Sequence, residues 1–177
     1  MKRVTTTLKL KFLDLNKVKA DIFAQTVLAT TELANELLRL DPKERRALTT
    51  AKVVTPLKSA LANQVLRILK GKAGRRAKQF QVFWPEVNNQ NWKLYKVGNT
   101  YSISFPTIQG DKRVPLAVCG SYIAERLDQV LAGRNCERGT LKLIQVRGVW
   151  YVVLSITWKV PKVDSTERIG VDSCLLY

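Results

Sequence analysis

At 177 residues, with 46% apolar residues and four Trp, the chain can bury a core of one domain or somewhat more, which excludes a disordered basic tail. Its 30 Lys and Arg against 14 Asp and Glu give a net charge of +16. That balance calls for a polyanion, and nucleic acid is favoured over a membrane surface because neither a long basic amphipathic helix nor a lipidation signal is present. The absence of His and the wide spacing of Cys119, Cys136 and Cys174 exclude a zinc site, a disulfide framework and histidine-based catalysis within these residues. The basic N-terminus lacks an apolar h-region and no run approaches membrane-spanning length, so a cytoplasmic protein without a membrane partner is expected.

Residues 7–12 alternate Leu8, Leu10 and Phe12 with Thr7, Lys9 and Lys11, which predicts a half-buried strand showing Lys9 and Lys11 to solvent or to a phosphate backbone. Asn16 is placed to cap a helix running to about Leu40, with Val18, Ile22, Val27, Leu33, Leu37 and Leu38 along one stripe. Asp21, Glu32 and Glu36 offset its bases, so this helix is expected to pack and not to hold the polyanion. Asp41-Pro42 ends it, and a short helix or irregular link follows. Thr55 as cap and Pro56 as first helical residue open a second long helix, with Leu57, Leu61, Val65, Leu66 and Leu69 inward, that ends at Gly71. Residues 42–80 carry 11 bases and a single acid, Glu44. Complementing a helix macrodipole needs only one or two cations, so Lys52, Lys58, Lys70, Lys72, Arg75, Arg76 and Lys78 are candidate phosphate contacts.

Strand chemistry then takes over. Phe80, Val82 and Trp84 alternate up to Pro85, and residues 92–97 and 100–105 flank Gly98-Asn99 as a hairpin with Tyr101, Ile103 and Phe105 on one side. Trp84, Trp92 and Tyr95 are expected as core aromatics, with base stacking as the alternative. Residues 113–118 form a further strand that Pro115 marks as an edge. Ser121 caps a short helix to about Leu131, with Ile123, Leu127, Val130 and Leu131 inward, closed by Gly133. Residues 141–146 and 149–158 form a hairpin through Arg147-Gly148, with Trp150, Val152, Leu154, Ile156 and Trp158 on one face. The polar connector 161–167 reads as a domain boundary, and Ile169-Gly170-Val171-Asp172 as a short strand ending in a carboxylate.

In this order, TPLKSALANQVLRILKGK, FQVFWP, YSISFP, the hairpin GTLKLIQVRGVWYVVLSI and the closing RIGVD resemble the insertion-sequence TnpB (OrfB) family, relatives of type V CRISPR nucleases. The resemblance implies an α+β fold. An antiparallel, barrel-like sheet of oligonucleotide-binding or wedge type would span 1–13 and 79–160, with a helical recognition lobe inserted at 14–78. A linker at 161–167 would lead to the first strand of an RNase H-like, RuvC-type domain at 168–177. The resemblance further implies guide-type RNA and target-adjacent DNA as partners. It makes Asp172 the first RuvC-like carboxylate, and Mg²⁺ the cofactor of the complete family.

Five residues follow Asp172 and none is acidic, so the nuclease lobe is expected to be truncated and Asp172 an orphan ligand, with no cofactor for the isolated chain. The expected function is therefore binding of RNA and DNA without cleavage. The alternatives are one half of a split RNA-guided endonuclease, whose second polypeptide carries the rest of the RuvC domain, and an inactive remnant of a mobile element.

Overall fold

The computed structural model describes residues 2–71, 77–133 and 135–161. Lys72, Arg75, Arg76, Cys174, the predicted strand with Asp172 and the linker beyond residue 161 lie outside them. In chain order the elements are β1 (Lys2–Phe12), α1 (Lys17–Arg39), α2 (Pro42–Ala47), a 3-10 turn (Thr50–Lys52), α3 (Ser59–Lys70), β2 (Glu86–Val87), β3 (Lys93–Val97), β4 (Thr100–Thr107), β5 (Gly110–Ala117), α4 (Ser121–Ala132), β6 (Cys136–Val146) and β7 (Val149–Val160). The fold is α+β: one antiparallel sheet in the order β2-β6-β7-β1-β5-β4-β3, curled into a half-barrel.

β1 is the seam of that sheet. It runs against β7 from Lys2↔Val160 to Lys11↔Tyr151, and its last residues also pair with β5 at Lys11↔Ala117 and Phe12↔Leu116. Period-two alternation buries Leu8, Leu10 and Phe12 on one side and leaves Lys9 and Lys11 exposed on the other. β7 repeats the pattern with Trp150, Val152, Leu154, Ile156 and Trp158 buried. The β6–β7 turn places Arg147 at φ 49 and Gly148 at φ 79, the two positive values of a primed turn whose twist matches its strands.

α1 lies on the buried side. Asn16 caps it by accepting from Lys19 N at 2.9 Å, as predicted, and Phe23, fully buried, meets Phe12 and Phe105 at 5.4 Å each and Trp150 edge-on at 5.6 Å. Val18, placed on the apolar stripe by spacing alone, is 68% exposed, and the buried face instead contains Thr26, Thr30 and Thr31. Each of these hydroxyls donates to the carbonyl four residues back, which satisfies it inside the core. Two of them accept a second bond from segments outside the helix: Thr26 Oγ1 from Ile108 N at 3.2 Å, in the turn between β4 and β5, and Thr31 Oγ1 from Phe83 N at 2.9 Å, ahead of β2. α3 packs beside α1 with Leu61, Ala62, Val65, Leu66 and Leu69 buried in the same core.

Four local expectations need correction. Residues 80–84 form no strand, because their backbone groups are taken by α1: Asn35 donates through Nδ2 to Phe80 O at 2.9 Å and accepts from Phe80 N at 2.8 Å. The buried parity there is Phe83, Pro85 and Val87, and ladder pairing starts at Glu86↔Lys142. α3 begins at Ser59 and not at Pro56, since Leu57 is drawn into the core ahead of the first turn; Thr55 Oγ1 accepts only Leu57 N, at 3.3 Å. β5 is interior to the sheet despite Pro115, whose carbonyl accepts from Leu13 N at 2.9 Å just past the end of β1, where a ladder N–H is no longer required. Finally Gly120, at φ 90, caps α4, and Ser121 is its first residue. Cys119 is exposed and Cys136 is half-buried.

Candidate nucleic-acid interface

The helices divide the sheet into a packed face and an open one. α1 and α4 meet the side of Phe12, Trp150 and Trp158: Phe23 contacts the first two, and Arg126 of α4 lies 4.5 Å from the Trp158 ring. On the opposite side, Arg3, Thr5, Thr7, Lys9 and Lys11 of β1 are exposed, and Tyr151, Val153, Ser155 and Thr157 of β7 are half-buried. The register places Lys9 opposite Val153 and Lys11 opposite Tyr151, and Lys9 Nζ is 4.4 Å from the Tyr151 ring centroid. Further along, Thr5 and Thr157 share a hydroxyl hydrogen bond at 2.9 Å. The open face therefore carries Lys9 and Lys11 beside a phenol and a row of hydroxyls, with Arg3 at its far end paired with Glu137 at 2.8 Å.

The other predicted phosphate contacts are dispersed. Lys52 ends the 3-10 turn and Lys78 follows the undescribed stretch; both are exposed. Lys58 pairs with Asp111 at 2.8 Å, which partly cancels its charge. Lys70 turns back to donate to Leu48 O at 2.6 Å, holding the α2–α3 connection. Arg45, within the same basic stretch, is 5% exposed and serves the fold. Among the described residues Lys9, Lys11, Lys52 and Lys78 have no carboxylate within ion-pair distance.

With twice as many bases as acids, the molecule places cations on aromatic faces. Arg113 lies 4.3 Å from the Tyr95 ring, Arg138 5.3 Å from Trp92, and Lys96 4.9 Å from Tyr101. The predicted hairpin already sets Lys96 opposite Tyr101, whereas the other two pairs join segments distant in the chain, for which the only available signal was the surplus of Arg and Lys over carboxylates. Trp92 is fully buried and donates to Gly139 O at 3.0 Å, so it is core, and Tyr95 is covered on one face by Arg113. Lys96 also bridges both Asp128 oxygens at 2.8 Å, and Tyr101 Oη donates to Asp128 at 2.8 Å. Those hydrogen bonds hold the Asp128 carboxyl below its ordinary pKa and raise that of Lys96.

Asp172, the carboxylate that the family resemblance assigns to Mg²⁺, lies outside the described residues. Among the described residues, His, Cys, Asp and Glu form no group of three that could hold a metal ion, and no helix is long and apolar enough to cross a membrane. Compared with protein-family models and with curated proteins, the chain finds no match.

Proposed function

We propose that this protein is a nucleic-acid-binding module that holds RNA or DNA by its phosphates, on the open face of β1 and β7 and along the basic stretch 42–80. The observation that carries this reading is the set of exposed, acid-free cations Lys9, Lys11, Lys52 and Lys78 in a chain of charge +16. Each phosphate neutralised releases counterions, so such cations supply salt-dependent affinity without reading sequence. Tyr151 beside Lys9 adds an aromatic face of the kind on which single strands stack. The motif order carries the finer part of the proposal: the chain is the nucleic-acid-binding portion of a TnpB-like protein, taking a guide-type RNA and target-adjacent DNA and not cutting them by itself. In such a system base pairing with the guide, and not the module, would read the target.

The test is fluorescence anisotropy with labelled single- and double-stranded RNA and DNA over a range of salt concentrations. For duplex DNA, Lys9→Ala with Lys11→Ala is expected to flatten the slope of log affinity against log salt by about 2 units, and for single strands by about 1.4. Wild-type affinity that does not change with salt would overturn the reading.

A further inference from the structure

Beyond the open face, the packed end of the sheet holds a cavity of 410 Å³ lined by Arg126, Gln129, Asn135, Trp158, Lys159 and Val160. Its charged and amide side chains can all donate hydrogen bonds, and no carboxylate is among them. A larger groove of 640 Å³ beside α3 is less selective, because Asp111 lines it and already neutralises Lys58.

Arg126 is the centre of the smaller cavity. Its guanidinium carbon lies 4.5 Å from the Trp158 ring and 5.1 Å from the Tyr122 ring. Trp158 is itself fixed, donating through Nε1 to Thr6 Oγ1 at 2.7 Å. Of the five guanidinium donors, the described residues engage only Nη1, with Gln129 Oε1 at 3.2 Å. A guanidinium lying over a ring and bonded through only one nitrogen keeps further N–H donors available, and a free N–H edge can receive a phosphate through two parallel bonds. Opposite, Asn135 adopts φ 53 and its carbonyl accepts from Lys159 N at 2.8 Å, which fixes the far wall. Glu137, which pairs with the lining residue Lys159 at 3.4 Å, is shared with Arg3 at 2.8 Å, so this one negative charge faces two positive ones.

We propose that this cavity is a phosphate-binding site, in which the guanidinium edge of Arg126 takes the phosphate group of a nucleotide or of a polynucleotide strand. Arg126 and Trp158 lie on the packed side of the sheet, and although Lys159 at the rim stands opposite Arg3, the site does not depend on Lys9 and Lys11 binding nucleic acid. The Trp158 indole N–H belongs to a ring that lines the cavity and serves as an NMR reporter.

The full chain is titrated with inorganic phosphate, with AMP, and with short single strands bearing either a 5′-phosphate or a 5′-hydroxyl. Chemical shifts are followed at Trp158 Nε1–H and at Arg126 Nε–H. The expected result is that phosphate-bearing ligands shift both signals, and that Arg126→Gln weakens the binding about tenfold or more while the amide spectrum remains that of a folded protein. Arg126→Lys keeps the charge but loses the planar fork and should fall nearer to Arg126→Gln than to wild type. A preference for the 5′-phosphate strand identifies a terminal phosphate as the ligand, and equal shifts from both strands identify the backbone. Undisturbed Trp158 and Arg126 signals, or equal phosphate affinity in the Arg126→Gln protein, would overturn the site. Salt-dependent binding of the same strands through Lys9 and Lys11 would survive that outcome.

Discussion

Phe23 shows how much a single side chain can decide. It is fully buried, and its ring meets Phe12, Phe105 and Trp150, so one residue of α1 touches three strands. Phe23→Ala leaves a cavity between helix and sheet and is expected to cost about 3–5 kcal/mol, measured by urea unfolding. Asp128 is a second case, fixed by charge and hydrogen bonding. Its folded pKa is lowered by Lys96 and Tyr101, so its stabilising contribution is present above the ordinary Asp value of about 3.9 and is lost as pH falls through the lower folded value. Asp128→Asn should therefore lower the midpoint of thermal unfolding at pH 7, and the gap from wild type should close as the pH is taken well below 4. A gap independent of pH would show that the carboxylate charge does not matter there.

At the scale of elements, the threonines and Asn35 of α1 explain why residues 80–85 are irregular. An alternating run such as Phe80, Val82, Trp84 satisfies the strand pattern, yet a strand also needs a neighbouring ladder. Here the Asn35 amide offers Phe80 both a donor and an acceptor, and Thr31 offers Phe83 an acceptor, so α1 takes the place of that neighbour. Asn35→Ala removes both bonds at Phe80 and is expected to cost about 1–3 kcal/mol, with hydrogen-exchange protection lost at Phe80 N–H and retained in β6 and β7. Loss of protection across the whole sheet would mean instead that the 80–85 segment is part of one cooperative unit with it. Several cap and turn residues were more dependable guides, because their chemistry acts within a few positions, although Thr55 and Ser121 do not cap the helices assigned to them. Asn16, Gly98 and Gly133, and the Arg147-Gly148 pair, all stand where the sequence placed them.

Across the whole molecule, net charge governs the expected behaviour. Lys52 and Lys78 belong to a stretch with 11 bases and one acid, and the triple change Arg75→Ala, Arg76→Ala, Lys78→Ala is expected to flatten the salt dependence of duplex binding by about 2 to 3 units. Combined with the Lys9 and Lys11 changes, the loss should be additive if the two surfaces contact separate phosphates. A triple mutant with the wild-type slope would confine binding to the face of β1 and β7.

Composition and short-range pattern were enough to predict an α+β chain, the capped first helix, the two hairpins and the buried face of β7, while the polyanion partner to which the charge points remains a proposal. Charge, caps and period-two alternation are properties of neighbouring residues, and they survive without knowledge of what packs where. Packing across the chain settled the rest. Pro115 reads as an edge residue until β1 is seen to stop beside it, and Lys70 reads as a free cation until Leu48 O takes its ammonium. Arg126 carried no sequence signal, because the two rings beside it come from its own helix and from β7, 32 positions away at Trp158 in the numbering of the chain. A binding group of that kind exists only once the sheet has curled and brought its end against the helix.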